Sequence, residues 1–286
     1  MKTIIISDIK SNENSIITFG LHLAKQLETE AEVVHPIDSR IHQGEYGAVS
    51  DSQSVTPGNT FTHKEIIFRE KERVKKDLDK LLISEVSRLN YPLKVHVTVE
   101  NKSVDEAIKN SMDKYSECIF VASAEPDENI FLSKNEILDT VKSNQAICLL
   151  VPPGKSFTSI RKIFVPVDFD SADTNTFAKL YPFIQKIKPY IIAIDVAGNG
   201  NYAEKELKSE TWKKLAKEFL PASKISTSTL KGKNFRETIA NYCNRNNPDL
   251  MLISQKKQNS LKQMFGKNKL EKLLNKVSVP VLLHYY

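Results

Sequence analysis

Short apolar runs alternate along this chain with stretches whose apolar residues return every third or fourth position. The first run, residues 3–8, predicts a strand, and Ile16, Phe19, Gly20, Leu23, Ala24 and Leu27 follow at helical spacing. Ala31 to Ile37 predicts a second strand. Residues 38–62, rich in Ser, Thr, Gln and Gly with Pro57-Gly58, read as a long mobile loop. Ile67, Val74, Leu78, Leu81, Leu82, Val86 and Leu89 predict a long amphipathic helix. Leu93 to Val99 alternates as a strand. Ser103 with Glu106 three residues on is a capping-box signature for a helix whose apolar face runs Val104, Ala107, Ile108, Met112. Cys118 to Val121 and Ile147 to Val151 predict strands, with a helix near Ile137 to Val141 between them.

The same order then returns. Strands are predicted near 162–168, 190–196, 224–230, 249–254 and 279–284, and helices near 173–187, 203–219, 234–245 and 261–277. Pro152-Pro153-Gly154 stops the last strand of the first half, so the predicted domains are 1–153 and 161–286, with 154–160 as linker. Strands alternating with helices imply parallel strands joined by right-handed crossovers. The expected fold class is therefore α/β, two doubly wound five-stranded parallel sheets of Rossmann-like kind in tandem. Runs such as Ile4-Ile5-Ile6 and Leu250-Met251-Leu252-Ile253 suit parallel strands buried on both faces.

The halves also match residue against residue. Lys2-Thr3-Ile4-Ile5-Ile6-Ser7-Asp8 is echoed by Lys162-Ile163-Phe164-Val165-Pro166-Val167-Asp168 about 160 residues later. Lys102-Ser103-Val104-Asp105-Glu106-Ala107-Ile108 matches Lys233-Asn234-Phe235-Arg236-Glu237-Thr238-Ile239. Glu117 to Val121 matches Asp249 to Ile253, and Ala146 to Leu150 matches Pro280 to His284. Ordered matches at one domain's spacing mark a duplicated domain rather than a solenoid.

Composition narrows the function classes. The 286 residues carry 41 basic and 35 acidic side chains, a net charge of +6 that is well mixed. A nucleic-acid binder would show a denser basic patch interleaved with aromatics. No apolar run reaches the roughly 18 to 20 residues that span a bilayer, and the N-terminus reads as a strand rather than a signal peptide, so a cytoplasmic location is expected. Cys118, Cys148 and Cys243 are widely spaced and odd in number, which suits reduced, packed thiols. The six histidines form no HxxxH or HExxH pair, and no metal is expected. No GxSxG elbow and no paired carboxylates at a strand end suggest catalysis. Trp212 falls in an amphipathic helix and is expected to be packed.

The duplicated blocks resemble the universal stress protein family in its tandem two-domain form. Residues 162–170 are similar to the family's opening strand and aspartate turn, Pro248 to Ser254 to its fourth strand, and Glu271 to Leu274 with Val279 to Leu283 to its closing helix and strand. The resemblance covers nearly the whole chain. Nucleotide-binding members carry G-x-x-G-x9-G-[ST] after the fourth strand. Its glycines let backbone N–H groups approach phosphate at a helix N-terminus. Here the second-half glycine positions read Ser254 and Lys257. Gly266 stands one residue early, and Lys267 follows it in place of Ser or Thr. The first half reads Ala122-Ser123-Ala124-Glu125-Pro126-Asp127-Glu128-Asn129, without glycine and with three acids. Asp8 and Asp168 remain. In nucleotide-binding relatives that turn lies beside the adenosine; alternatively each aspartate simply closes its strand–helix turn.

What the resemblance implies is a stress-response-associated binding or regulatory protein that is not an enzyme, binds no cofactor, and acts through a protein partner or small ligand. The alternative is a binder of ATP or AMP in the second-half cleft, with Asp168, Lys257, Gly266 and Lys267 as the candidate site. A further alternative is an apolar or lipid-like ligand between the domains, with 39–62 as lid. Lys256, Lys257, Lys262, Lys267, Lys269, Lys272 and Lys276 meet only Glu271, which reads either as an anion site or as a solvated helix face with Leu270, Leu273, Leu274 and Val277 inward. The last strand, Pro280 to Tyr286, reads as an edge of its half. The halves are expected to form an intramolecular pseudo-dimer through their fifth strands, with Tyr285 and Tyr286 at the seam and homodimerisation left open. Neither nucleic acid nor membrane is an expected partner.

Overall fold

The computed structural model describes residues 1–7, 15–38, 63–125, 136–169, 175–198, 200–255 and 267–285. The chain divides into two compact units. The first comprises Met1–Lys25 and Thr29–Asn144, the second Gln26–Glu28 and Gln145–Tyr286. The division falls at residue 144, whereas the proline-rich stop suggested 153.

In the first unit the order is β1 (Lys2–Ile6), α1 (Ser15–Gln26), β2 (Ala31–Pro36), α2 (His63–Leu89), β3 (Val95–Glu100), α3 (Val104–Lys114), β4 (Cys118–Ser123) and α4 (Glu136–Asn144). The strands lie side by side as β3-β2-β1-β4, and each neighbouring pair is parallel. Every residue of β1 and β2 is buried, which accounts for the apolar run Ile4-Ile5-Ile6 and requires partners for the polar Glu32 and His35 within β2. Gly20 of α1 lies so close over β1 that a Cβ there would overlap the Ile5 side chain. The glycine on the apolar face of α1 is thus a packing requirement. The capping box of α3 is formed as its sequence indicated: the Glu106 N–H donates to Ser103 Oγ at 3.3 Å, and the Ser103 N–H donates to Glu106 Oε2 at 2.9 Å.

The second unit contains β5 (Ile147–Val151), β6 (Lys162–Pro166), α5 (Asn175–Ile187), β7 (Tyr190–Ala197), α6 (Tyr202–Phe219), β8 (Lys224–Lys231), α7 (Phe235–Asn246), β9 (Leu250–Gln255), α8 (Lys267–Leu274) and β10 (Val281–Tyr285). Its strands run β5-β10-β9-β6-β7-β8. All pairs are parallel except β5–β10, where Leu150 to Ile147 oppose Val281 to His284 antiparallel. The last strand, an edge of its own repeat, pairs with β5, the fifth strand of the other repeat, as its edge character led one to expect, and is fully buried between β5 and β9. Its apolar Val281-Leu282-Leu283 run needs cover that a solvent-facing edge would not provide. Tyr285 is buried with it, and Tyr286 lies outside the described residues. The expected mobile loop at 38–62 also lies outside them beyond Asp38.

In both units the chain leaves the first strand toward one side and returns on the other. The switch points fall between β1 and β4 and between β6 and β9. In open α/β sheets the crevice at the carboxyl ends of such a strand pair is where ligands sit. That places the candidate site at Ser7 and Ser123 in the first unit, and at Asp168 and Ser254 in the second.

Candidate functional site

Asp168 follows β6 by two residues and is half-buried in the second-unit crevice. Its carboxylate is not left to solvent. Lys205, one turn into α6, brings its Nζ to 3.5 Å from Asp168 Oδ1 and to 2.7 Å from Asp195 Oδ2. Asp195 lies on β7 and its side chain has 0% exposure; that of Lys205 has 9%. Asp195 Oδ2 also accepts the Phe169 N–H at 3.0 Å, and Oδ1 accepts the Val196 N–H at 2.7 Å. Burial pushes the Asp195 carboxyl above its ordinary value, against the pull of Lys205 and of the Phe169 and Val196 amides. The turn after β6 is thus closed from the next strand and the next helix by charge and hydrogen bond.

The local sequence explains the arrangement. Lys205, Ser209, Trp212 and Ala216 recur at helical spacing and form the buried face of α6. Trp212 packs edge-on against Phe169 and Phe177, with centroids 5.8 and 5.7 Å away. It is core, as the helix pattern suggested, and the same aromatic group holds Phe169 beside Asp168. Ser209 accepts a 3.3 Å hydrogen bond from Thr227 of β8. Asp195 and Lys205 were missed by sequence reasoning. Their one signal was an acid inside the apolar run Ile191-Ile192-Ala193-Ile194-Asp195-Val196-Ala197 and a lysine on an apolar helix face.

The other sequence-predicted site residues are Lys257, Gly266 and Lys267. Lys257 and Gly266 lie outside the described residues; Lys267 opens α8, and its side chain is outside them too. Ser254, at the first glycine position of the motif, is 3.2 Å from His284 Nδ1. In the lysine-rich stretch, Leu270, Leu273 and Val277 are buried while Lys272 and Lys276 are exposed. Lys276 Nζ is 3.5 Å from Glu237. These described residues behave as a solvated helix face over an apolar side.

The first unit is built differently at the same place. Asp8 lies outside the described residues. Ser7 and His35 are buried, with Ser7 Oγ 3.4 Å from His35 Nδ1. At the end of β4, Ser123 Oγ accepts the Glu125 N–H at 3.2 Å and donates to the Glu125 carbonyl at 2.8 Å. The Glu125 backbone amide is thereby taken by a side chain. Pro126 to Asn129 lie outside the described residues.

A second polar cluster in this unit surrounds Glu32 of β2. Glu32 Oε1 accepts from Thr98 at 2.7 Å and from Lys114 at 3.1 Å; Oε2 accepts from Tyr115 at 2.6 Å. Burial opposes its ionisation, but these donors outweigh burial and hold its carboxyl below the ordinary value. The adjoining recess, lined by Glu32, Thr98, Glu100, Asn110 and Ser111, has about 50 Å³. That is far below the roughly 300 Å³ at which small-molecule pockets begin, and the acceptors on Glu32 are already used. Among the described residues no three or more His, Cys, Asp or Glu side chains stand together as metal ligands, and no helix is long and apolar enough to cross a membrane.

The sequence matches no protein-family model and no curated protein. Solved structures do match over the full length. A universal stress protein from Archaeoglobus fulgidus DSM 4304 superposes with a TM-score of 0.65 at 13% identity, covering 99% of this chain and 98% of that one. A functionally unknown protein from Pseudomonas aeruginosa PAO1 gives 0.56 at 12% identity, covering 99% and 92%. At such identities the likeness establishes the fold. The chain has the α/β fold of the universal stress proteins, present twice in tandem.

Proposed function

We propose that this chain is a tandem universal-stress-type binding or regulatory module that is not an enzyme and does not take ATP as a cofactor. The observation that supports this most directly is the state of Asp168. The carboxylate at the turn that lies beside adenosine in nucleotide-binding relatives is engaged by Lys205, itself anchored 2.7 Å from Asp195. A ligand using Asp168 Oδ1 would compete with the Lys205 ammonium for it. The sequence of the following loop supports the same reading, because Ser254 and Lys257 stand where the motif needs glycines. Function comes by way of a partner protein or a small ligand other than a nucleoside triphosphate. The association with stress response rests on likeness of fold, since sites rather than folds carry function.

Isothermal titration of the full chain with ATP and with AMP, each with Mg²⁺, tests the reading. The expected outcome is no saturable heat at millimolar nucleotide. Micromolar binding of either would overturn it and assign the second-unit crevice to nucleotides.

A further inference from the structure

His284 is an ionisable side chain set inside strand pairing. It lies on β10, opposite Ile147 of β5 in the antiparallel ladder and level with Ser254 of β9 in the parallel one. Its exposure is 2%, and Nδ1 is 3.2 Å from Ser254 Oγ. The other titratable groups on these three strands are Cys148 of β5 and Tyr285 of β10, both buried. From α5, the Lys179 ammonium bears on the imidazole and disfavours a second positive charge beside it. β5 belongs to the second unit's sheet through β10, whose antiparallel register with it runs from Val281↔Leu150 to His284↔Ile147. The histidine thus sits at one end of that seam.

We propose that His284 is an acid-sensitive latch on the β5–β10 pairing, buried while neutral and driving the local opening of the two strands when it takes up a proton. The direction follows from burial first and Lys179 second, which together lower the imidazole from 6.5 to about 4 in the closed state. The closed pairing binds fewer protons than the open one between these values. Its stability is therefore complete above pH 6.5 and declines as pH falls toward 4. At pH 5 the open-to-closed ratio rises nearly thirtyfold relative to pH 7.5.

Hydrogen exchange with mass spectrometry on the full chain, corrected for intrinsic rates, reads this opening at pH 7.5 and pH 5.0. Peptides covering 147–151 and 281–285 are expected to gain about thirtyfold in opening at the lower pH, and to lose most of that gain in His284→Gln. An unchanged wild-type ratio, or an equal gain in the variant, overturns the latch. Should the variant fail to fold, the imidazole midpoint of His284 by NMR in the wild-type chain decides. A midpoint well below 6 supports the proposal, and one near 6.5 overturns it.

Discussion

Lys205 and Asp195 form a buried ion pair, 2.7 Å apart, where a ligand would otherwise meet the second-unit crevice. A buried pair contributes little net stability over an apolar replacement, but removing one partner strands the other. Lys205→Met should therefore lower unfolding free energy by about 3 to 5 kcal/mol. Adding Asp195→Asn to that variant removes the stranded charge; its single side-chain oxygen can still accept the Phe169 amide, at the loss of the acceptor for the Val196 amide. The double variant should recover much of the loss. Urea unfolding of the two variants and the wild type checks this. A double variant no more stable than Lys205→Met would show that the pair is not the origin of the cost.

Trp212 is the single tryptophan of the chain, 1% exposed and packed against Phe169 and Phe177. Its fluorescence should report on the second unit alone, blue-shifted when folded and red-shifted on unfolding. Trp212→Ala should cost about 3 to 5 kcal/mol through the cavity it leaves. Trp212→Phe, which preserves the aromatic packing, should cost clearly less. Comparing the fluorescence transition with far-ultraviolet circular dichroism would show whether the two units unfold together.

Much of this fold was legible because parallel strands and amphipathic helices write distinct periods. Ile4-Ile5-Ile6 and the α3 capping box at Ser103 and Glu106 needed no three-dimensional information. The site was less legible. Asp195 is one acid in an apolar run, and its meaning appears only when β7 lies beside β6 and α6 folds back over it. In the other repeat the equivalent register position holds His35, one residue beyond the Ile6↔Val34 pair as Asp195 is one beyond Pro166↔Ile194. A local repeat search would have aligned these strands without revealing that one end is closed by a histidine and the other by an ion pair. The pairing of β10 with β5 follows from each being the edge of its repeat, but its antiparallel sense was not legible. An edge within one repeat is hidden once β5 pairs with it, and antiparallel pairing between distant segments leaves no local signature.

In the first unit the Tyr115 hydroxyl donates to buried Glu32 at 2.6 Å. Hydrogen bonds to charged groups are worth about 1.5 to 3 kcal/mol. Tyr115→Phe should lose an amount in that range, because Thr98 and Lys114 remain but one carboxylate oxygen loses its shortest donor. Glu32→Gln should relieve the burial of charge yet break the pairing with Lys114. In the Glu32→Gln background the Tyr115→Phe loss should shrink. A double-mutant cycle by chemical denaturation measures the difference, and equal losses in both backgrounds would deny the coupling.

The three thiols should be inert in the folded protein. Burial pushes Cys118 up to about 11, with the N-terminal ammonium pulling slightly the other way. It pushes Cys243 to about 12 against a small opposing effect of Lys155, and Cys148, wholly buried, higher still. The thiolate is the reactive form, so at pH 7.5 only about 3 in 10,000 Cys118 side chains are available, and fewer of the others. Alkylation with iodoacetamide, followed by intact-mass analysis, should show almost no adduct at pH 7.5 within minutes. The rate at Cys118 should rise about tenfold per pH unit up to pH 10. All three cysteines should label promptly in denaturant. Rapid modification of any one thiol in the native chain at neutral pH would mean that its thiolate is stabilised in a way burial forbids, and would reopen a redox role for that cysteine.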